Sequence, residues 1–251
     1  MSRRDRAGAR CLVCQMHSTL CICDLVPELF ARTRVTLLIH YREARKPTNT
    51  GLLAARCLVG SQVRIVGARD AHSVPGPLHV TGEKVLLLYP GDDAVSIDHY
   101  AGSPVPIVLV VPDGNWRQAG KMRRRIPGLA EAACVTLPDR GATSYRLRAE
   151  LRAGGLATLE AIARALRVLE GDRGPAIEAA LLAIFRVMVD RTLWLRGALP
   201  DGNVAGGIPA AAAARDPRGT GNSEVEARAQ GRFDIEPSAR HDVKSWNKFD
   251  E

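Results

Sequence analysis

The sequence predicts an α/β fold, a mostly parallel sheet covered by helices, and three observations carry that expectation. Residues 107–111, IVLVV, form an unbroken run of branched apolar side chains, as in a strand buried on both faces. Further short apolar runs at 34–40, 62–66, 84–89 and 133–137 alternate with stretches of helical spacing. Polar and glycine residues gather just beyond these runs, where ligands bind in sheets of this kind.

Composition allows one well-buried main domain: 251 residues, 46% hydrophobic and 25% charged. Lys and Arg total 35 against 27 acidic residues, a net charge of +8, which suits a polyanionic partner. The N-terminus, MSRRDRAGAR, lacks an apolar signal core, and no long uncharged apolar run follows, so a cytoplasmic protein without a membrane partner is expected. In that compartment Cys residues stay reduced or bind metal.

Cys11, Cys14, Cys21 and Cys23 follow the spacing C-x2-C-x6-C-x-C, close enough to converge on one tetrahedral zinc. The span suits a small structural knuckle over residues 10–30. With four thiolates filling the site, His17 is expected to face solvent, whereas Cys57 and Cys134 read as core.

The run 34–40 is the first strand, and it empties into His40, Tyr41, Arg42 and Glu43. Thr48 and Asn49 then stand as caps for a helix over 51–58. The strand 84–89 breaks at Pro90-Gly91-Asp92-Asp93, a turn whose glycine gives backbone amides access to a ligand. The central run empties into Asp113-Gly114-Asn115-Trp116, either a capped turn or a site of chemistry. Arg117, Lys121, Arg123, Arg124 and Arg125 follow on a helix, either as phosphate contacts or as a solvated face.

After the strand 133–137 comes Ser144-Tyr145-Arg146-Leu147-Arg148, basic with one aromatic that either stacks on a base or packs internally. Thr158 opens an amphipathic helix with Glu160 in its first turn, and Pro175 starts another that ends near Gly197. Beyond residue 198 the low apolar content predicts a disordered tail over 199–251, leaving 31–198 as the main domain.

Taken in order, the Cys cluster, His40-x-x-Glu43 with Thr48-Asn49-Thr50, LLLYPGDDA, DGNW, SYRLR and LATLEAIARAL resemble the DTW-domain family over about residues 10–195. Members of that family include tRNA-uridine aminocarboxypropyltransferases, related to the SPOUT class of knotted RNA-modifying enzymes. The resemblance implies a SPOUT-like, knotted sheet, S-adenosylmethionine as cofactor and tRNA as partner. The family's Asp-x-Thr-Trp signature falls on Asp113 to Trp116 with Asn115 in the Thr position, and its His-Pro-x-Glu element falls on His40 to Glu43 with Tyr41 in place of Pro.

On that basis Asp113, Asn115, Trp116, His40 and Glu43 are the catalytic candidates, with Asp113 as general base toward a uridine ring nitrogen. Leu88, Tyr89, Pro90, Gly91, Asp92, Leu137, Ser144, Tyr145, Thr158 and Glu160 are expected at the cofactor. Arg117, Lys121, Arg123, Arg124, Arg125, Arg146 and Arg148 are expected to hold tRNA. The expected reaction moves the 3-amino-3-carboxypropyl group of S-adenosylmethionine to uridine and releases methylthioadenosine. An RNA methyltransferase of the same class, or a zinc-bearing RNA-binding protein without catalysis, are the alternatives.

Overall fold

A computed structural model describes residues 10–67, 78, 81–138, 143–147 and 155–214. The strands are β1 (Arg34–His40), β2 (Gln62–Val66), β3 (Lys84–Leu88), β4 (Val95–Ser96), β5 (Ile107–Asp113) and β6 (Ala133–Thr136). They join one sheet in the order β2-β1-β5-β3-β6-β4 with every neighbouring pair parallel. The helices are α1 (Tyr41–Ala44), α2 (Thr50–Cys57), α3 (Trp116–Arg125), α4 (Thr158–Leu169), α5 (Gly174–Leu195) and α6 (Ala210–Ala214). The α/β sheet that the apolar runs predict is thus present, with β5 two residues longer than its apolar run and β4 too short to read from sequence.

Strand alternation sorts the core into two layers. Val35, Leu37 and Ile39 of β1 and Ile107, Leu109 and Val111 of β5 face one way, into a cluster with Leu53 and Ala54 of α2, Leu159 and Ile162 of α4 and Leu181 and Phe185 of α5. Leu38, Val108 and Val110 face the other way, against Met122 of α3, Ile126 and Leu129. The same alternation places Asp113 on the α2/α4 side, since it shares parity with Leu109 and Val111.

Met16, Leu20 and Ile22 of the Cys-rich segment belong to the larger cluster, so this segment packs on the sheet's helical layer. Two single 3-10 turns, Ser18–Leu20 and Cys23–Leu25, carry its chain. His17 caps the first through its Nδ1 and is half-buried, a correction to the expectation that it faces solvent; the Thr19 amide needs an acceptor there.

Residues 199–214 also depart from the expected tail. Leu199, Val204 and Ala212 are buried in the main cluster. Trp194 donates its indole N–H to Asp201 at 2.6 Å, and the Ala205 amide donates to the buried Asp190 at 3.1 Å. A few spaced apolar anchors and two polar ties order a segment whose composition alone reads as tail. The rest of the expected tail, residues 215–251, and Arg148 lie outside the described residues.

Candidate active site and metal centre

Chain segments converge on Asp113 at the carboxyl edge of the sheet. Asp113 is 8% exposed. Its Oδ2 accepts from Asn49 Nδ2 at 2.6 Å, and its Oδ1 accepts from Thr158 Oγ1 at 2.6 Å. Asn49 is also the N-cap of α2, its Oδ1 accepting from the Leu52 amide at 2.7 Å. Gly51 makes the approach possible: a Cβ there would stand 2.9 Å from Leu37 Cδ2 and 3.1 Å from Asp113 Oδ2. Asp113 therefore clasps β5 to the starts of α2 and α4, with one acceptor direction left on each oxygen.

Next to it, β1 pairs Ile39 with Asp113, so His40 stands one step beyond along the neighbouring strand. His40 Nδ1 accepts from the Arg42 amide at 3.3 Å and lies 3.1 Å from Gln118 Nε2. The backbone donor fixes Nδ1 as an acceptor and leaves the proton on Nε2. Burial, reinforced by the Arg42 charge, lowers the His40 pKa below its ordinary 6.5. Gln118 also completes a capping box with Asn115, giving Asn115 a capping role that an amide fulfils as well as a hydroxyl. The sequence signal for Gln118, overlooked among the candidates, is its position three residues after Asn115. Glu43 pairs with Lys46 at 2.6 Å. Trp116 is half exposed and packs edge-on against Tyr89, centroids 6.0 Å apart.

The expected cofactor residues divide into two groups. Leu88, Tyr89, Pro90, Gly91, Asp92 and Leu137 lie at or just beyond the ends of β3 and β6. The room left by Gly91 is taken by protein: a Cβ would meet Arg123 Nη1 and Asp93 Oδ1, each at 2.8 Å. Ser144, Tyr145, Thr158 and Glu160 lie together around the start of α4. Glu160 is buried and accepts from Ser144 N at 2.7 Å, Ser144 Oγ at 2.9 Å, Ala157 N at 2.9 Å and the Thr143 hydroxyl. Its oxygens are thus spent on shaping the loop Thr143–Tyr145. Tyr145 is buried as well, stacked on Phe185 with centroids 5.7 Å apart and donating to Thr48 O at 3.2 Å, so packing rather than open stacking is its setting here.

The basic candidates also divide. Arg117, Lys121, Arg124 and Arg125 are exposed on α3 and have no ion pair among the described residues. Arg123 pairs with Asp93 at 2.5 Å and Arg146 with the buried Asp190 at 2.5 Å. These two tie loops to the body of the fold.

The thiols of Cys11, Cys14, Cys21 and Cys23 all lie within 4.8 Å of one another. Cys11 and Cys23 Sγ are 3.7 Å apart, as are Cys14 and Cys21 Sγ. A tetrahedral ion with metal–sulfur bonds of about 2.3 Å sets its sulfurs about 3.8 Å apart, so the spacing fits a metal. Backbone N–H groups of Cys14 and Val13 pull the Cys11 thiol down to about 6, whereas burial pushes the Cys14 thiol up and, outweighing the Cys23 amide, burial and the neighbouring thiols push Cys21 up to about 12, so a full set of thiolates here needs the charge of a metal. Cys57, buried among apolar side chains, is pushed up to about 11 and is inert core.

Among the described residues no helix is long and apolar enough to cross a membrane. No solved structure matches the chain. A protein of Drosophila melanogaster named tRNA-uridine aminocarboxypropyltransferase 2 is 29% identical over 169 residues, 64% of this chain and 66% of its own. The protein of that name in Macaca fascicularis is 28% identical over 167 residues, 64% of this chain and 56% of its own. Arabidopsis thaliana tRNA-uridine aminocarboxypropyltransferase A is 27% identical over 210 residues, 71% of this chain and 79% of its own. The chain thus spans just under two thirds and just over half of the first two relatives. The DTW domain pattern matches residues 8–193, which include the Asp113 clasp and the four-Cys site, and the chain belongs to the DTW-domain family.

Proposed function

We propose that this protein transfers the 3-amino-3-carboxypropyl group of S-adenosylmethionine to a uridine ring nitrogen in tRNA. The observation that carries the reading is Asp113, the first residue of the family signature: a carboxylate at the end of the central strand, clasped by Asn49 and Thr158 and followed in the chain by an exposed basic helix. The names of the relatives support the reaction and its substrate. A SPOUT-like, knotted sheet and a cytoplasmic setting are part of the same reading.

The edge between Tyr89, Trp116, Asp113 and Ser144 suits S-adenosylmethionine by chemical type, with aromatic side chains for an adenine ring and for the sulfonium cation. When bound, that cofactor supplies a sulfonium whose three attached carbons are open to attack, the outcome set by which carbon lies in line. Asp113 takes the ring N–H proton of uridine through a free acceptor direction on its carboxylate, while Asn49 and Thr158 hold its orientation. His40, kept neutral by burial, can donate its Nε2–H to a uridine carbonyl. Exposed Arg117, Lys121, Arg124 and Arg125 meet phosphates. Zinc at the four Cys residues has a structural role.

The test is label transfer. With S-adenosylmethionine labelled in the aminocarboxypropyl chain, unmodified tRNA should gain label, whereas methyl-labelled cofactor should leave it unlabelled. Methyl transfer or no transfer would overturn the reading.

A further inference from the structure

Two arginines near the Cys site have no role in the Asp113 chemistry. Arg191, on α5, is 4% exposed. Its Nη1 donates to Cys21 O at 2.7 Å and Leu20 O at 3.4 Å, while its buried Nε has no partner. No carboxylate pairs with it among the described residues, and its neighbour Asp190 is committed to Arg146, Arg186 and the Ala205 amide. Arg56, on α2, points Nη2 at Cys23 Sγ from 3.5 Å.

A buried guanidinium without a counter-anion is costly, and one with an orphaned N–H more so. Neutral thiols would leave Arg191 in that state. A divalent ion with four thiolates carries two net negative charges, and the two arginines then supply compensation from opposite helices. We infer that Arg56 and Arg191 are the counter-cations of the metal centre and through it lock the Cys segment onto α2 and α5. Because Asn49 caps α2, the metal in this way steadies the donor that holds Asp113. Arg56 and Arg191 are positioning residues. The inference rests on the proposed zinc and goes beyond it by assigning the groups that retain it.

The experiment uses the full chain, purified with zinc and also stripped of it by a chelator. Zinc per chain, its rate of transfer to a chromogenic chelator, and melting temperature are measured for wild type, Arg56→Met and Arg191→Met. Arg56→Met and Arg191→Met should each speed zinc loss about 10-fold or more, the usual effect of losing a partner of metal ligands. Arg191→Met should lower the melting temperature of the zinc-loaded chain yet raise that of the stripped chain, because it removes a charge that only the metal centre compensates. A purely packing role for Arg191 would lower both alike, and that result overturns the inference. Unchanged zinc release in Arg56→Met also overturns it, and decides alone should Arg191→Met not fold. Wild type that holds no zinc would refute the metal reading itself, whereas zinc retained equally by all variants would refute only the assignment of the arginines.

Discussion

Thr158 donates its hydroxyl to Asp113 across 45 residues of chain, at 2.6 Å, and Asn49 meets the other carboxylate oxygen at the same distance. This one acidic side chain therefore fixes the relative position of β5, α2 and α4. Thr158→Val keeps shape and removes the donor. It should cost about 1.5–3 kcal/mol, the range for a hydrogen bond to a charged group. Urea unfolding of the variant checks this, and a change below about 0.5 kcal/mol would mean that the clasp does not bear on stability.

Glu160 holds the loop Thr143–Tyr145 to the start of α4. Glu160→Gln replaces one acceptor oxygen by an N–H2 group, yet the backbone amides of Ser144 and Ala157 cannot turn away. The variant should lose about 1–3 kcal/mol of stability and bind S-adenosylmethionine more weakly by isothermal calorimetry. Loss of stability with cofactor affinity unchanged would remove Thr143–Tyr145 from the cofactor wall.

On the outer layer, Arg117, Lys121, Arg124 and Arg125 have no ion pair among the described residues, where Arg123 is paired. Replacing the four with Glu should weaken tRNA binding and flatten its salt dependence by about 0.7–0.9 units of log-log slope for each phosphate that the variant no longer neutralises. Filter binding across a salt series reads this. Arg123→Gln should instead leave most tRNA affinity intact, since its guanidinium is engaged with Asp93.

His40 gives a pH dependence with a definite sign. Its folded pKa lies below the ordinary 6.5, so the unfolded chain binds the proton more readily. The stability from the neutral ring is present above pH 6.5 and is lost as pH falls through the folded value. Protonation would also set a proton on Nδ1 against the Arg42 amide. His40→Asn keeps an N-cap without titrating, so wild type should lose stability relative to this variant on acidification below pH 6.5. Parallel curves from pH 8 to 5 would refute the assignment.

The strands were legible because branched apolar residues mark them directly, as a run within Arg34–His40 and by alternation in Gln62–Val66. Val95–Ser96 was not, since two residues carry no period. Asn49 was readable as a cap, but its amide contact with Asp113, 64 residues away, depends on the β1–β5 pairing and has no local signal. Arg146 and Arg123 read as phosphate ligands because charge is visible in sequence and its partner is not. Leu199, Val204 and Ala212 were hidden by the Gly and Ala around them.

The central claim is that Asp113 is the base of an aminocarboxypropyl transfer. Its most direct measurement is the mass of uridine nucleosides from tRNA incubated with S-adenosylmethionine and either wild type or Asp113→Asn. An Asn can accept from Asn49 and turn its amide toward the Thr158 hydroxyl, so the clasp is largely kept while the proton acceptor is lost. Wild type should yield uridine bearing the aminocarboxypropyl mass, and the variant should yield it about 100-fold or more slowly with tRNA and cofactor still bound. Methylated uridine from wild type, or equal rates from both proteins, would contradict the account.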